Sequence, residues 1–546
     1  MGSCKDYEFD LRFNIDCYSP VVKHASEEGE FERQKALHVE LADFLLTSQI
    51  PKFVEDCAEH TLPPFDSHTV TEILHSRGIG MRYLGFVANK LSEKSTLQYW
   101  QKHCLSAIIV RCAKHSFRCY LQSVGAASTA TAIAHFLNCF LTSEVVSIFT
   151  NSDDAAAKRK SKKRNKASHA DHRLPPESTE WAKVSSKSLW QEICKDAQSY
   201  YAYNFKEDSI TDFCEARKVP KFALLRSLCI AVGIQVKLRD YDLSVRCKAP
   251  FTADDIMNMN PLVRRLQFEA KDGASSYEAA VAKLEAGQLS LGLELLNEAA
   301  QLYGNVHGSV HPEIIKCLRL TARVSYVMND YTGALLNQHK AVVMTERCYG
   351  IDSAYLISDY LCMAIFSFAN GKIPTALKLL YRSRYLVLML NGEDHPEMAL
   401  IDSNIGLMLY AVGELDFSMQ FLRNALAVNL RYFGNEHLKT ALSYDLLART
   451  YACRNDFRSA LLNEKQTFFI YKKLLGENNE RTKASQQYLQ QLTEQAVRLQ
   501  RRMNSMRQNN SSAVARFCAV EVRYPEAIAV IEVLTVINGM YWVFSK

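Results

Sequence analysis

The feature that most constrains this chain is an internal repeat with a fixed period of 42 residues. Five glycines mark the longer loops at equal steps: Gly308, Gly350, Gly392, Gly434 and Gly476. Short turn sequences recur at the same step, from GQLSLG at Gly287 to NDFRSA at Asn455. Each unit therefore predicts a helix, a short turn, a second helix and a loop. Repeats of this length form solenoids, because one helix pair buries its apolar face only against its neighbours.

Small residues recur where the two antiparallel helices of a unit would approach closely. They form one set on the first helix, one at the start of the second helix, and one seven residues later: Ala280, Ala322, Ala364, Gly406, Ala448; Gly292, Ala334, Ala376, Ser418, Ala460; Ala299, Ala341, Ser383, Ala425, Thr467. These positions resemble the tetratricopeptide repeat, in the lengthened form found in kinesin light chains. The resemblance implies five repeats over residues 273–483, in a right-handed α-solenoid whose concave groove binds a partner protein.

Helical geometry predicts which first-helix residues line this groove. They are cations in the second unit, apolar residues in the third and fourth, and an oppositely charged pair in the fifth: Lys316, Arg319, Arg323; Leu361, Ile365, Leu407; Asp445, Arg449. Such a mixture suits an extended peptide or a helix with acidic ends. The alternative is that these charges are only solvated.

Composition and motifs argue against most enzyme classes. The chain has 48% hydrophobic residues, enough for packed cores, and its net charge of +6 is too small to indicate nucleic-acid binding by itself. Its 16 cysteines never come closer than seven positions, at Cys112 and Cys119, so no CxxC pair exists. We interpret them as buried free thiols in a reducing compartment. Phosphate-loop, HExxH and GxSxG motifs are absent, and we predict no catalytic residue and no cofactor.

One histidine pair has the spacing of two metal ligands on a helix. His307 and His311 are four residues apart, but Gly308 lies between them and Pro312 follows. This places them in a loop between repeats, so we predict no metal site.

The first globular region, residues 10–149, is predicted to be mainly helical after an extended start. The Ile50-Pro51 step predicts a break in one helix. HSRGIGMRYLG, from His75 to Gly85, predicts a glycine turn in which Arg82 fixes a carboxylate or a helix end. A phosphate cradle is the weaker alternative, since no strand precedes this turn.

Three stretches of this region carry a family resemblance: LRFNIDCYSP (Leu11–Pro20), ALHVELADFLLTSQIPKFVEDC (Ala36–Cys57) and HSRGIGMRYLG. Together they resemble the characteristic domain of the clustered mitochondria protein family, and that domain is also similar to a large subunit of eukaryotic translation initiation factor three. KFALLRSLCIAVGIQVKLRDY (Lys221–Tyr241) continues the likeness. The family's N-terminal ubiquitin-like part has no counterpart, so we expect a match to its C-terminal half or so.

The resemblance implies a cytosolic adaptor that distributes mitochondria within the cell. It also implies binding of messenger RNA for mitochondrial proteins, and association with ribosomes or an initiation factor. The competing interpretation is a peptide-binding repeat scaffold without RNA contact, in the manner of a kinesin cargo adaptor.

A polar segment without apolar periodicity, residues 150–180, predicts a disordered linker. It contains a dense basic run: Lys158, Arg159, Lys160, Lys162, Lys163, Arg164 and Lys166. The functional interpretation is contact with RNA phosphates, a second is nuclear import, and the plain alternative is a solvated linker.

Residues 181–268 predict a small, mostly helical module with a hairpin. Phe222–Val232 predicts a helix that ends at Gly233. Ile234–Leu238 then alternates like a strand, and we expect it to pair with Leu243–Cys247.

The end of the chain changes character twice. Residues 484–518 predict a helix that caps the solenoid and then a polar tail. Residues 519–546 are apolar and do not resemble the family, and their β-branched run Val530–Val536 predicts a strand. We expect a packed tail. A membrane anchor is the alternative, because Ala527–Phe544 approaches the length of a span, although Glu532 and Asn538 interrupt it.

Overall fold

The computed structural model describes residues 36–37, 39–58, 69–142, 180–244, 247, 249–260, 270–393, 395–509 and 527–540. They form two compact units that divide at about residue 265. Both units are built mainly from α-helices, so the predicted fold class is confirmed. The stretch LRFNIDCYSP and the basic run at residues 158–166 lie outside the described residues.

The first unit is organised around one long helix, α4, which packs against α3, α6 and α8. Among the described residues, its helices include α1 (Ile50–Ala58), α2 (Val70–His75), α3 (Leu84–Ser92), α4 (Gln98–Leu121), α5 (Thr129–Leu141), α6 (Ser186–Tyr201), α7 (Ile210–Arg217) and α8 (Lys221–Val232). Phe117 of α4 and Phe136 of α5 are fully buried, with their ring centroids 4.9 Å apart. The apolar residues of α4 point in nearly every direction because neighbouring helices surround it.

The predicted helix break at Ile50-Pro51 is wrong. A π-helical turn, Leu45–Gln49, leads directly into α1, and the Ile50 amide donates to the carbonyl of Leu45. Widening the helix by one residue just before Pro51 makes room for a ring that would clash in a regular α-helix. In the glycine turn that follows α2, the cation that pairs with a carboxylate is Arg77, with Asp56, and Arg82 lies exposed.

The predicted hairpin exists, but its second strand lies elsewhere. Strand β1 (Ile234–Val236) pairs antiparallel with β2 (Ile256–Met259) and not with Leu243–Cys247. Gly233 ends α8 as predicted, at a φ of 82°. Arg239 secures the connection, since its Nε and Nη2 atoms donate to the carboxylate of Asp255 at 2.6 and 2.8 Å. This bidentate pair brings the chain before β2 back to β1.

In the described part of the second unit, five helix hairpins, called repeats 1 to 5, are followed by two further helices. Repeat 1 is α9 (Lys271–Glu285) and α10 (Leu289–His307), repeat 2 is α11 (Pro312–Val327) and α12 (Tyr331–Tyr349), repeat 3 is α13 (Tyr355–Ala369) and α14 (Ile373–Asn391), repeat 4 is α15 (Pro396–Val412) and α16 (Leu415–Phe433), and repeat 5 is α17 (Leu438–Cys453) and α18 (Phe457–Leu475). After them come α19 (Glu480–Asn509) and α20 (Ala527–Ile537). The tetratricopeptide-type fold is therefore confirmed.

The loop glycines and the short turns, which mark the repeat in the sequence, both contain residues with positive φ. The five loop glycines have φ between 75° and 89°, and the ψ values of four of them lie near 180°, a region open essentially to glycine alone. The short turns also place one residue each at positive φ: Gly287, Asn329, Gly371, Gly413 and Asn455. Asparagine tolerates this conformation better than other residues with a side chain. The period of the sequence is thus set by two backbone reversals in each unit.

The fifteen small residues predicted at helix contacts are all buried. Gly406 of α15 shows why they are small. A Cβ atom added there would lie 2.7 Å from the Cγ of Leu422 on α16, closer than real carbon atoms approach. In repeat 3, where the small residue is Ser383, its hydroxyl donates to the carbonyl of Ile357 at 3.0 Å. The helices of a hairpin therefore pack almost backbone to backbone.

Histidines cap the first helices of repeats 2, 4 and 5. The Nδ1 atoms of His311, His395 and His437 each accept a hydrogen bond from the amide two residues later, at 3.1–3.3 Å. His307 stacks on His311 with a centroid separation of 3.8 Å. Within the described ranges, no three His, Cys, Asp or Glu side chains are grouped so that they could hold a metal ion. The His-Pro loops are therefore helix caps.

A matched pair of glycine substitutions tests the close contact. Gly406→Ala should lower the free energy of unfolding by about 1–2 kcal/mol, because the new methyl group overpacks Leu422. Gly304→Ala, inside α10 with no heavy atom within 4 Å of the new Cβ, should raise it by about 0.5–1 kcal/mol. Urea unfolding followed by circular dichroism measures both. A gain in stability at Gly406 would contradict the close contact.

Candidate protein-binding groove

The candidate site is the side of the first helices of repeats 2 to 5 that we predicted to face the groove. We call it the groove face, and it belongs to α11, α13, α15 and α17. The predicted residues divide into two cationic or ionic ends and an apolar middle. In the structure, ion pairs hold most of the charged residues at the two ends, and the apolar residues in the middle are buried.

The cation at the centre of the first end, Arg319, is held by a buried carboxylate of the next repeat. Its Nε and Nη2 atoms each donate to Asp359 of α13 at 2.7 Å. Asp359 is 3% exposed and also accepts hydrogen bonds from Thr345 at 2.9 Å and Gln338 at 3.3 Å. A carboxylate buried with this many donors is part of the packing between repeats 2 and 3.

The neighbouring cations of α11 differ in their surroundings. Lys316 is exposed and its Nζ atom lies 2.7 Å from Glu313, one helical turn away. An exposed pair of this kind contributes little to stability, because water screens it. Arg323 is half-buried beside the thiol of Cys362. Lys316 is therefore the predicted groove cation most available to a partner.

The fifth repeat holds its predicted pair together. Arg449 Nε lies 2.9 Å from Oδ1 and 3.0 Å from Oδ2 of Asp445, one turn back on α17. The guanidinium also lies 5.1 Å from the ring centroid of Tyr488 on α19. These contacts orient Arg449 across the gap between repeat 5 and the helix that follows it.

The apolar middle of the groove face is buried. Leu361, Ile365 and Leu407 are exposed by 6%, 1% and 4%. The apolar tail forms a helix, α20, that packs on α13 and α15, the two helices that carry these residues. The expectation of a strand over Val530–Val536 is therefore wrong. The tail is helical, and its buried residues Val530 and Leu534 are four apart, the spacing of one helix face.

Two polar contacts fix α20 on the groove face. The Thr535 hydroxyl lies 2.9 Å from the hydroxyl of Tyr326 on α11, and both residues are buried. Asn538, just beyond α20, exchanges amide hydrogen bonds with Asn404 of α15 at 2.7 and 3.1 Å. Buried polar groups that are fully paired fix one register of the packing.

A pocket of about 270 Å³ opens beside the end of α20. Its lining includes Val536 and Ile537 of α20, the Asp445–Arg449 pair, and Glu464 of α18. Glu464 is fully buried, and its Oε1 atom accepts a hydrogen bond from Ser485. Its Oε2 atom has no hydrogen-bond partner among the residues that the structure describes. Burial first, and then the charge of Asp445, raise the pKa of Glu464 to about 8.

Sequence reasoning missed several residues of this face. The 42-residue step gives Asn404 no equivalent Asn and places Glu464 where three other repeats have leucine, so the period does not mark either as a contact. Tyr326 has an equivalent in Tyr410, but the repeat does not indicate its contact with the tail. The helix α20 did carry a signal, the four-residue spacing of Val530, Leu534 and Asn538, with Glu532 exposed on the other side. The seven basic residues from Lys158 to Lys166 lie outside the described residues.

Comparison with known proteins gives the family. Residues 61–243 match the model of translation initiation factor eIF3 subunit 135, and residues 397–473 match the tetratricopeptide repeat model. Clustered mitochondria protein homologs from Xenopus tropicalis and Homo sapiens are 43% and 42% identical over 100% of this chain, which covers 42% and 41% of theirs. The chain belongs to the clustered mitochondria protein family. Protein clueless of Drosophila persimilis is 40% identical over 100% of this chain and 40% of its own length.

The chain spans about two fifths of the length of these clustered mitochondria relatives. The matches extend over the whole chain and so include the apolar tail. The expectation that the tail lies outside the family is therefore wrong.

Solved structures also show a likeness to part of this clustered mitochondria family member. Kinesin light chain repeats from Podosopora anserina are 19% identical and cover 38% of this chain and 97% of their own, with a TM-score of 0.34. BtubC from P. vanneervenii is 14% identical over 51% of this chain and 94% of its own, with a TM-score of 0.30. Among the described residues, we find no helix whose length and apolar character would let it cross a bilayer.

The buried carboxyl of Glu464 predicts a pH dependence. Its pKa in the folded state is raised to about 8 from an ordinary 4.5. Between these values the unfolded chain releases the proton and the folded chain retains it, so the free energy of unfolding falls as pH rises, until the loss is complete above pH 8. Glu464→Gln cannot ionise and should gain stability relative to the native sequence from pH 5 to 8.

Urea unfolding at several pH values measures this difference. Glu494→Gln, at a carboxyl with a 67% exposed side chain on α19, is the matched control and should track the native sequence. Parallel pH profiles for Glu464→Gln and the native chain would show that Glu464 is ionised in the folded protein at neutral pH.

Proposed function

We propose that this member of the clustered mitochondria family is a non-enzymatic, cytoplasmic adaptor whose groove face binds a helical segment of a partner protein. The observation that supports this proposal is α20, an 11-residue apolar helix held on α13 and α15. A face that holds one helix through apolar contacts and two paired polar groups has the shape and chemistry for another. The cellular role in this proposal is the distribution of mitochondria within the cell, which the relatives' printed name, clustered mitochondria protein homolog, supports.

The pairing of two arginines on the groove face with carboxylates supports a scaffold function. Arg319 and Arg449 are both engaged by carboxylates of the repeats. Their role in the proposal is to fix how adjacent helices sit, and thereby the curvature that a partner meets. Lys316, exposed at the end of the groove, is the residue that we assign to an acidic end of the partner.

A second candidate function is binding of messenger RNA, with handling of messages for nuclear-encoded mitochondrial proteins. The basic run supports it, because seven of the nine residues from Lys158 to Lys166 are cationic. Such density neutralises several phosphates at once and releases their counterions. The match of residues 61–243 to an initiation factor subunit supports a further proposal, association with the ribosome or with that factor. A pure peptide-binding scaffold without RNA contact is the alternative.

Site-specific crosslinking tests the groove. A photoreactive residue at Lys316, on α11, should crosslink to a restricted set of proteins in cells. The same residue at Leu462, 59% exposed on the second helix of repeat 5, is the matched control and should not crosslink to that set. Mass spectrometry of the crosslinked products identifies the partners. Identical products from both positions would contradict a specific groove.

Ultraviolet crosslinking to cellular RNA tests the second candidate. Changing the seven basic residues of the run to glutamine should abolish crosslinking, and the crosslinking of the native chain should fall steeply with salt. A variant with seven glutamines at exposed Lys and Arg positions of α19 and the repeats is the control for lost charge. If both variants crosslink like the native chain, RNA binding through the basic run is wrong. If the native chain does not crosslink, the peptide scaffold without RNA stands.

A further inference from the structure

The helix α20 is a segment of the chain that sits where an external ligand would sit. It packs on the first helices of repeats 3 and 4, and its neighbours Tyr326 and Asn404 come from repeats 2 and 4. Three successive repeats therefore contribute to holding it. Binding along several repeats at once is how a solenoid groove takes a peptide.

The contacts of α20 define the chemistry that this face selects. Val530 and Leu534 are buried, and Asn538 continues their four-residue spacing with an amide. Thr535 adds a hydroxyl on the same side. The opposite side stays in solvent although it is partly apolar, since Ile528 is 69% and Val536 47% exposed. The groove thus recognises one side of the helix and leaves the other uncovered.

We propose that α20 is an intramolecular ligand that occludes the groove face, and that the partner is a helix of the same chemistry which must displace it. The partner helix would carry two aliphatic residues four positions apart, as Val530 and Leu534 are. A residue with a hydroxyl group would follow the second aliphatic residue directly, and an asparagine or glutamine would lie four positions after that second aliphatic residue. This inference rests on the proposed function and specifies its ligand and its regulation.

The amide of Asn538 is the most selective element of this recognition. Asn404 both donates to Asn538 and accepts from it. An aspartate in the ligand could accept but could not donate, and the Oδ1 atom of Asn404 would lose its partner in a buried place. The groove face should therefore reject a ligand that differs only by this change from amide to carboxylate.

The covalent connection between α19 and α20 raises the local concentration of α20 at the groove face, so that even a weak contact is mostly formed. Seventeen residues connect Asn509, the end of α19, to Ala527. Short connections give effective concentrations on the order of 1 mM. A helix that bound in trans with a Kd of about 100 μM would then occupy the groove about 90% of the time, and would weaken a competitor about tenfold. The open pocket next to Val536 and Ile537 gives a longer partner extra contacts that α20 does not make.

A labelled peptide with the sequence of residues 524–540 tests the proposal by fluorescence anisotropy with the full chain. Leu534→Asp should release α20, because it places a charge at a position with 0% exposure, and should bind the peptide about tenfold more tightly than the native chain. Ile528→Asp makes the same change on the exposed side of α20 and should match the native chain. A peptide with Asn538→Asp should bind Leu534→Asp at least tenfold more weakly.

Hydrogen exchange provides the second measurement. In Leu534→Asp the amides of α20 should lose protection while those of α13 and α15 keep most of theirs, which separates release from unfolding. Equal peptide affinity for the native chain and Leu534→Asp overturns the occlusion. Absence of binding by both, with α13 and α15 still protected, overturns the ligand chemistry.

The crosslinks from Lys316 separate this inference from the proposed function. Release of α20 by Leu534→Asp should increase them. Crosslinks that are present but unchanged in Leu534→Asp overturn the occlusion and leave the adaptor function standing. If the peptide binds as expected but Lys316 forms no crosslinks in either chain, the adaptor function fails and the intramolecular contact stands.

Discussion

The close approach of the two helices in each hairpin is the constraint on which the rest of the second unit depends. At Gly406 there is no room for even a methyl group against Leu422. Fifteen small buried residues keep this spacing through five repeats. Because the two helices of each hairpin pack closely, successive hairpins stack in the same way, and their first helices form one continuous face. A single bulky residue at one of these positions would alter the path of that face for every repeat beyond it.

Much of the repeat unit could be predicted because its sequence repeats its physical requirements. Left-handed turns require Gly or Asn, and close contacts require small residues, so both appear at a constant step. A residue that makes a contact found in only one place of the fold has no repeated pattern in the sequence. The partner strand of β1 depends on a loop closed by the Arg239–Asp255 pair, and no local pattern identifies that pairing. The predicted break at Pro51 is wrong because a π-helical turn accommodates its ring without ending the helix.

The apolar tail shows how context overrides local preference. Its β-branched residues favour a strand in isolation, but the groove face buries residues four apart and so selects a helix. The same contact changes how the predicted groove residues are understood. Leu361, Ile365 and Leu407 are buried, and the two helices that carry them, α13 and α15, are the ones that hold α20. The pairing of Arg319 could not be predicted from the sequence around it, because its partner Asp359 lies 40 residues away along the chain.

The ion pairs that cross repeat boundaries also set the mechanics of the solenoid. Arg319 joins repeat 2 to Asp359 of repeat 3, and Arg384 joins repeat 3 to Asp402 of repeat 4, with both carboxylates 3% exposed. Since each repeat touches only its neighbours, the elasticity of the solenoid is determined by the contacts at each boundary between two repeats. These two boundaries resist shear because sliding would strand a buried charge. The two ion pairs therefore hold repeats 2, 3 and 4 in one relative position, so a ligand that binds along them meets a fixed curvature.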